Sequence, residues 1–290
     1  MRIFTFLTLF VCIVQSLHGA VELQGNYDWT KARTLCKGIK YMQFELKTPR
    51  LMKMAAVRVD LQAQKFRFKV NGRAAEWGRP MPEDGCGDIP IRTLRMTCRE
   101  FMKESVKSGD KMVLAVNGSP WIPWKEPWNH RYAAKLGLHI SDGVLVSEAN
   151  KRPSFVVFKN GRCDFIKPEG KDDFSDIMQA ISGFGFVLSG GVPSGGDKKL
   201  APRTGYGLDK NRRYLYIFVV DGRQPAYSMG ASQFEVGQIL RYLGADDGLN
   251  MDGGGSTTLL IRKNGRIRKL NNHSKGAERK VGGMLGICID

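Results

Sequence analysis

Three consecutive glycines near the C-terminal end constrain the fold of this chain more than any other stretch. They lie within D-D-G-L-N-M-D-G-G-G-S-T-T-L-L-I, residues 246–261. The apolar runs on both sides predict a strand, a tight loop and a second strand. Gly253, Gly254 and Gly255 can adopt positive φ and allow backbone N–H groups to approach a ligand closely. The stretch is therefore a candidate anion site, and a glycine-rich hairpin without a ligand is the alternative.

The first twenty residues have the pattern of a secretory signal peptide. Arg2 precedes an apolar run over residues 3–14, and small residues follow. This run is shorter than the roughly 20 residues that span a bilayer, and no later segment approaches that length. We therefore expect residues 1–20 to be a cleaved leader, the mature chain to have no membrane span, and the protein to be exported to a periplasmic or extracellular location.

The net charge is strongly positive. Removing the leader takes away Arg2 and no acidic residue, so the charge changes from +17 to +16. The basic residues are dispersed and do not alternate with aromatic residues, which argues against nucleic acid as the partner. An anionic glycan or a phosphate-bearing substrate fits an exported protein better. The sequence leaves the oligomeric state open.

Five cysteines remain after the leader, namely Cys36, Cys86, Cys98, Cys163 and Cys288. An odd number leaves at least one thiol unpaired, and no two cysteines have the CxxC spacing of a zinc or redox motif. One or two disulfides fit an oxidising compartment, with Cys86 the best candidate because it lies in a loop rich in Gly, Asp and Pro.

Hydrophobic periodicity predicts an α+β domain, with a mixed and largely antiparallel sheet and flanking helices. No Pro-rich or Ser-rich linker divides the chain, so we expect an N-terminal arm over residues 21–40 and a single domain over 41–290. Apolar spacing predicts helices over 92–107 and 174–182. A third helix is indicated by the capping box Ser232 to Glu235 and by Gly244 at its end. The tryptophans at 121, 124 and 128 form either a sugar-stacking wall or a loop held by buried rings.

Five ordered motifs resemble the phosphodiester glycosidase domain family. They are N-G-S (117–119), P-R-T-G-Y-G-L-D (202–209), V-V-D-G-R-Q-P-A-Y-S (219–228), N-M-D-G-G-G-S-T-T (250–258) and A-E-R-K-V (277–281). The combination of V-D-G-R with D-G-G-G-S, in that order, is specific. The resemblance covers roughly residues 41–290. It departs from the family at Ser119, Pro120 and Trp121, where a second glycine and an aromatic residue are usual.

The resemblance implies hydrolysis of a sugar-1-phosphodiester, of the N-acetylglucosamine-1-phosphodiester kind, at its anomeric carbon. Such chemistry needs carboxylates beside an oxocarbenium-like transition state and a positive cradle for the phosphate. The candidate catalytic carboxylates within the motifs are Asp252, Asp221 and Glu278. The candidate substrate-binding residues are Asn117, Gly118, Arg203, Thr204, Arg223, Gly253, Gly254, Gly255, Ser256, Arg279 and His273.

Four of these candidates have specific interpretations. Arg203 is expected to bind phosphate through its bidentate fork and not to serve as a structural ion-pair partner. Glu278 and Arg279 could instead be surface charge. His273 could transfer protons near neutral pH, although a solvated His is the alternative.

No cofactor is predicted to be required. Residues 246–252 lack the carboxylate spacing of an EF-hand, which leaves room only for a structural calcium ion of another kind. A second functional class is also compatible with the sequence, namely a non-catalytic envelope protein that binds anionic exopolysaccharide through its basic surface and its tryptophan loop.

Overall fold

The computed structural model describes residue 23 and residues 25–83, 85–124 and 129–290. The predicted leader and Trp128 lie outside the described residues. In chain order, the first strands are β1 (Arg33–Cys36), β2 (Ile39–Leu46), β3 (Met52–Asp60), β4 (Phe66–Val70) and β5 (Thr93–Leu94), followed by helix α1 (Cys98–Lys107). The middle strands are β6 (Lys111–Asn117), β7 (Trp121–Ile122), β8 (Tyr132–Lys135), β9 (His139–Ser141), β10 (Val144–Ser147), β11 (Ser154–Phe158), β12 (Cys163–Ile166) and β13 (Ile177–Ser182). The last elements are β14 (Gly185–Ser189), β15 (Val192–Pro193), β16 (Arg203–Leu208), β17 (Tyr214–Val220), helix α2 (Gln233–Leu243), β18 (Asp247–Asn250), β19 (Leu259–Lys263), β20 (Arg266–Lys269) and β21 (Met284–Ile289).

Four antiparallel sheets make up most of the molecule. The largest has the strand order β1-β2-β3-β17-β16-β18-β14-β15, and two five-stranded sheets have the orders β20-β19-β6-β21-β4 and β10-β9-β13-β11-β12. A small sheet has the order β5-β8-β7. The largely antiparallel sheet expected from the sequence is confirmed, but the fold is mainly β with short helices and not α+β with flanking helices.

The central strand β17 shows why the large sheet lies between two apolar layers. Its residues Leu215, Ile217 and Val219 pack into the core shared with the five-stranded sheets. The alternate residues Tyr216, Phe218 and Val220 pack on the opposite face, in the cluster that α2 also joins. Side chains alternate across a strand, so a continuous apolar run is the pattern of a strand covered on both faces.

Local sequence signals fixed the helix ends better than periodicity did. Thr97 and Glu100 form a capping box that starts α1 at Cys98, so the helix begins six residues later than predicted. Helix α2 begins and ends as predicted, with the capping box of Ser232 and Glu235 at its start and the left-handed Gly244 at its end. The helix predicted over 174–182 is wrong, because β13 occupies its second half between β9 and β11.

Two further expectations concern chain organisation. The segment predicted as an N-terminal arm, residues 21–40, contains β1 and the start of β2, so its described part includes the edge strand of the large sheet. All five cysteines of the described chain are unpaired thiols, and the expected disulfides are not formed. No helix of the described residues is long and apolar enough to cross a bilayer.

A single glycine fits α2 onto the large sheet, and this gives a test of the packing. A Cβ added at Gly237 would lie 2.0 Å from the Val187 carbonyl oxygen on β14. Ala normally favours a helix interior by about 1 kcal/mol over Gly, but here the clash with a rigid backbone atom should outweigh that gain. We expect Gly237→Ala to lower the free energy of unfolding by about 1–3 kcal/mol. Urea denaturation measures it, with the exposed Arg241→Ala as control. A variant as stable as wild type would contradict this packing.

Candidate active site

The glycine loop connects two different sheets and is not a hairpin within one sheet. It leaves β18 of the eight-stranded sheet, forms a 3₁₀ turn at Gly254–Ser256 and enters β19 of a five-stranded sheet. The loop therefore lies where the two sheets meet. The hairpin interpretation of this stretch is wrong, and the strand, loop and strand order is confirmed.

Asn117, at the end of β6, holds the backbone of Asp252 in place. Its Nδ2 donates to the Asp252 carbonyl at 2.6 Å, and its Oδ1 accepts from the Thr204 hydroxyl at 2.8 Å and from the Thr258 N–H at 3.0 Å. The next residue, Gly118, accepts from the Asp252 N–H at 2.9 Å. Asn117, Gly118 and Thr204 thus belong to the site as the frame that positions Asp252. Their direct contact with substrate stays a prediction.

The Asp252 carboxyl group is wholly buried. The residue is 1% exposed, its Oδ1 accepts from the Gly253 N–H at 2.9 Å, and its Oδ2 has no hydrogen bond among the described residues. Burial raises the pKa of Asp252 to about 6, although Ser256, the Gly253 N–H, Arg279 and Trp121 favour the carboxylate. The Ser256 hydroxyl is close enough to act on this charge, but it lacks the geometry of a hydrogen bond.

Two arginines rest on the glycines of the loop. A Cβ at Gly254 would lie 3.2 Å from Nη1 of Arg223, and one at Gly255 would lie 2.6 Å from Cζ of Arg279. Only Gly254 has positive φ, at +63°. The triplet is therefore needed mainly for close approach, because side chains at these positions would displace the guanidinium groups.

The arginines, and not the backbone N–H groups of the loop, supply most of its anion-binding capacity. The N–H groups of Gly253, Gly254 and Ser256 donate to Asp252 Oδ1, to the Pro202 carbonyl and to the Gly253 carbonyl. Arg223 is exposed, and its guanidinium has no hydrogen bond or ion pair among the described residues. Arg223 is therefore the cation of the loop with the most donors available to a ligand.

Asp221 lies at the same edge of the large sheet as Asp252. Strands β17 and β18 are both antiparallel to β16, which lies between them, so they run parallel to each other and end together. Two strand spacings separate the chains there by roughly 10 Å. Burial raises the pKa of Asp221 to about 6, while the Asn272 N–H, which donates to Oδ1 at 2.8 Å, favours the carboxylate. Asp221 lines a cavity of about 230 Å³ with Tyr227 and Lys53.

A buried lysine near Asp252 was not predicted from the sequence. Lys135 is 6% exposed, its Nζ has no hydrogen bond among the described residues, and burial lowers its pKa well below the usual range while Asp252 opposes that shift. The register of β7 and β8 pairs Lys135 with Trp121. The short strand Y-A-A-K carries no motif, so only three-dimensional contacts could reveal this lysine.

Arg203 has the contacts of a structural residue. It lies next to Thr204 on β16, so its side chain leaves the opposite face of the sheet. Its guanidinium donates to Asp197 Oδ2 at 2.9 Å, to the Lys199 carbonyl at 2.7 Å and to the Ala231 carbonyl at 3.0 Å. The prediction that Arg203 is not a structural partner is wrong, and a phosphate role for it has no support in these contacts.

Glu278 and His273 also have structural contacts. Glu278 accepts from the Arg99 side chain at 3.0 Å, at the first turn of α1, where a carboxylate favours the helix dipole. His273 is buried between Thr258, 2.9 Å from its Nε2, and Lys269, 2.8 Å from its Nδ1. Burial and Lys269 lower its pKa to about 4, which does not favour proton transfer near neutral pH, and that role stays a prediction. The residue is 6% exposed, so the solvated alternative is wrong.

One tryptophan of the loop fits each of the two interpretations, a loop held by buried rings and a sugar-stacking wall. Trp121 is completely buried, with the Arg95 guanidinium 4.5 Å from its ring. Trp124 is 55% exposed, and its Nε1 donates to the Trp121 carbonyl at 2.5 Å. Among the described residues of this loop, only Trp124 could therefore stack on a sugar.

The described residues also include no group of three or more His, Cys, Asp or Glu side chains suited to a metal ion, and the calcium ion stays a prediction.

The buried Asp252 carboxyl group beside two arginines, on an antiparallel β fold, is a candidate anion-binding site. A sequence model of the phosphodiester glycosidase family matches residues 110–288. The chain therefore belongs to the phosphodiester glycosidase family. A comparison of its sequence with curated proteins found no match.

Three solved structures have a similar fold. The zebrafish N-acetylglucosamine-1-phosphodiester alpha-N-acetylglucosaminidase catalytic domain, auto-inhibited by its pro-peptide, has a TM-score of 0.61 at 21% identity, covering 94% of this chain and 87% of that chain. A hypothetical protein from Synechocystis has a TM-score of 0.60 at 12% identity, covering 87% and 62%. A putative exported protein from Burkholderia pseudomallei has a TM-score of 0.56 at 12% identity, covering 82% and 74%. At these identities the likeness establishes the fold alone.

The raised pKa of Asp252 predicts a stability cost that depends on pH. A carboxyl group with a pKa of about 6 in the folded protein and about 3.9 when unfolded binds its proton more tightly in the native state. The cost is therefore complete above pH 6, shrinks as the pH falls towards 4 and is absent below it. We expect Asp252→Asn to be more stable than wild type at pH 7.5, by on the order of 2–3 kcal/mol, and about equal at pH 4. Urea denaturation at both pH values measures this. A variant less stable than wild type at pH 7.5 would show that the carboxylate is favourably held.

Proposed function

We propose that the protein hydrolyses a glycosyl phosphodiester, of the N-acetylglucosamine-1-phosphodiester kind, at the anomeric carbon. The observation that carries the proposal is the buried Asp252 carboxyl group beside a glycine loop on which the Arg223 and Arg279 side chains rest. Membership of the phosphodiester glycosidase family supports the reaction class.

The charges of the site suit the two halves of such a substrate. Phosphate leaving from the anomeric carbon gains negative charge, which a guanidinium fork stabilises through two parallel hydrogen bonds. The sugar gains positive charge as an oxocarbenium-like species, which a carboxylate stabilises. Asp252 and Asp221 both have pKa values raised to about 6 by burial, so each can hold or release a proton near neutral pH.

Substrate access to Asp252 requires a side-chain movement. The carboxyl group is shielded from solvent, with Arg279 over Gly255 and the buried Trp121 beside it. Arginine side chains can turn towards an arriving phosphate at little cost, because charge-assisted hydrogen bonds replace their former contacts. We infer that phosphate binding moves Arg279 and opens Asp252 to the sugar.

We also propose that the protein is exported and acts on an anionic glycan or another glycosyl phosphodiester. The apolar run after Arg2 supports a leader over residues 1–20, and the excess of basic over acidic residues supports an anionic substrate. No cofactor is part of the proposed reaction.

The first test is release of free sugar from UDP-N-acetylglucosamine or a synthetic α-glycosyl phosphodiester. We expect turnover by wild type and loss of at least a hundredfold in kcat for Asp252→Asn, because the amide cannot carry the negative charge or transfer the proton. Asp176→Asn makes the same chemical change at an exposed position and should retain wild-type rates. Equal sugar release by Asp252→Asn and wild type would disprove the assignment.

A pair of arginine variants separates phosphate binding from structural support. Arg223→Lys keeps the charge but loses the fork, so we expect kcat/KM to fall about tenfold or more, equivalent to about 1.4 kcal/mol, with an unchanged Tm. Arg203→Lys should instead lower Tm and leave kcat/KM within about twofold, because Arg203 binds Asp197 and two backbone carbonyls. The reverse result, slow turnover by Arg203→Lys at normal Tm, would restore Arg203 as a phosphate ligand.

A further inference from the structure

A cavity on the side of β20 is lined by cations and contains no carboxylate. Its volume is about 480 Å³, and its walls include Tyr41, Lys263, Arg266 and Arg268. We call it the cationic cleft. It lies between β1 and β2 of the large sheet and β19 and β20 of the neighbouring sheet, where β1 and β20 are both edge strands.

Strand register places the charged side chains on one face. Lys263 pairs with Arg266 and Ile261 pairs with Arg268, so these residues share the face on which Ile261 enters the core. Tyr41 of β2 forms the opposite wall, and Arg33 pairs with it from β1. Three cations therefore line the cleft, Lys263, Arg266 and Arg268, all from the side of β19 and β20.

These cations have few internal partners. Lys263 donates to the Thr34 carbonyl at 3.1 Å, and the Arg268 guanidinium lies 5.3 Å from the Tyr41 ring. Among the described residues, none of Arg33, Lys263, Arg266 and Arg268 forms an ion pair. A concentration of positive charge without carboxylates raises the local potential and attracts an anionic group.

The cleft is next to the cavity that contains Asp221. Alternate residues of β2 share a face, and while Tyr41 lines the cleft, Gln43 and Glu45 line the Asp221 cavity. On the other side Leu270 is two residues after Arg268, and its carbonyl accepts from Gln43 Nε2 at 2.6 Å between the two cavities. Four residues of strand span about 13 Å, so the cations and the Asp221 cavity lie within reach of one short oligosaccharide.

The charge along this path changes sign, which restricts the ligand. Three cations and no carboxylate line the outer end, whereas the inner end has two carboxylates, Glu45 and Asp221, and one cation, Lys53. A uniformly charged chain such as single-stranded nucleic acid would be repelled by the inner carboxylates, and a flat membrane surface does not enter a concave cleft. A glycan with an anionic group a few sugars away from the reacting phosphodiester matches both ends.

We propose that the cationic cleft binds an anionic group, carboxylate or phosphate, on a glycan chain whose phosphodiester is processed beside Asp221 and Asp252. The role of this ligand as substrate rests on the proposed function, but its binding does not. The proposal narrows the substrate class from small glycosyl phosphodiesters to acidic oligosaccharides.

Direct binding of defined oligosaccharides to the full chain tests the proposal. The probes are a hyaluronan tetrasaccharide for carboxylates, chitotetraose 6-phosphate for phosphate and neutral chitotetraose as reference. At low salt we expect at least one anionic probe to bind at least tenfold more tightly than chitotetraose. The advantage should shrink as the salt concentration rises, because exposed charges are screened.

Variants assign the binding to the cleft. Arg266→Glu with Arg268→Glu should abolish the preference for the anionic probe, while Lys103→Glu with Lys107→Glu makes the same charge change on the exposed face of α1 and should keep it. Release of sugar from a small glycosyl phosphodiester should be unchanged in both, since neither pair belongs to the active site.

Three results would overturn the proposal. They are equal binding of neutral and anionic probes, equal loss in the two double variants, and tighter binding of a single-stranded oligonucleotide through Arg266 and Arg268. An absence of sugar release by wild type would instead reject the proposed function and leave the binding result in force.

Discussion

The site depends on one side chain, the amide of Asn117. It joins the end of β6 to the backbone of Asp252, to β16 through Thr204 and to the start of β19 through the Thr258 N–H. Both sheets therefore have a fixed position relative to the carboxylate. The group is buried and hydrogen-bonded on both its oxygen and its nitrogen, so removing it would leave several polar atoms without partners in the interior. The asparagine of N-G-S is thus as important for the geometry of the site as any charged residue in it.

The unfavourable features of the structure are concentrated around Asp252. Its carboxyl group, the Ser256 hydroxyl and the Lys135 ammonium group are buried, and within the described structure Asp252 Oδ2, Ser256 Oγ and Lys135 Nζ lack hydrogen bonds. Buried polar atoms of this kind cost free energy unless another molecule satisfies them. These atoms lie together at one edge of the sheets, beside the Arg223 and Arg279 side chains. Such an arrangement is expected of a ligand site and not of a stabilising core.

The sequence predicted elements that depend on neighbours in the chain. The capping box and the terminal glycine of α2 depend on local geometry, and both are confirmed. The predicted helix over 174–182 failed because a pattern of apolar residues at short range also fits a buried strand, and pairing with β9 and β11 decides between them.

For the site, the motifs identified Asp252 and Asp221, whose burial follows from their positions at strand ends. They could not show that Arg203 has structural partners and Arg223 does not, because packing decides that the β16 face carrying Arg203 meets Asp197 and Ala231. Lys135 lies outside every motif and enters the site through β7 and β8.

The arginines that rest on Gly254 and Gly255 change what the triplet encodes. Because glycine has no side chain at these positions, an arginine from another part of the chain can pack directly on the loop backbone. The positive charge of the loop therefore depends on the glycines. Adding one methyl group at residue 255 would push the Arg279 guanidinium aside. A substitution that changes no charged residue can therefore alter the electrostatic potential at Asp252. The glycines of the D-G-G-G-S motif thus help to determine where the positive charges of the site lie.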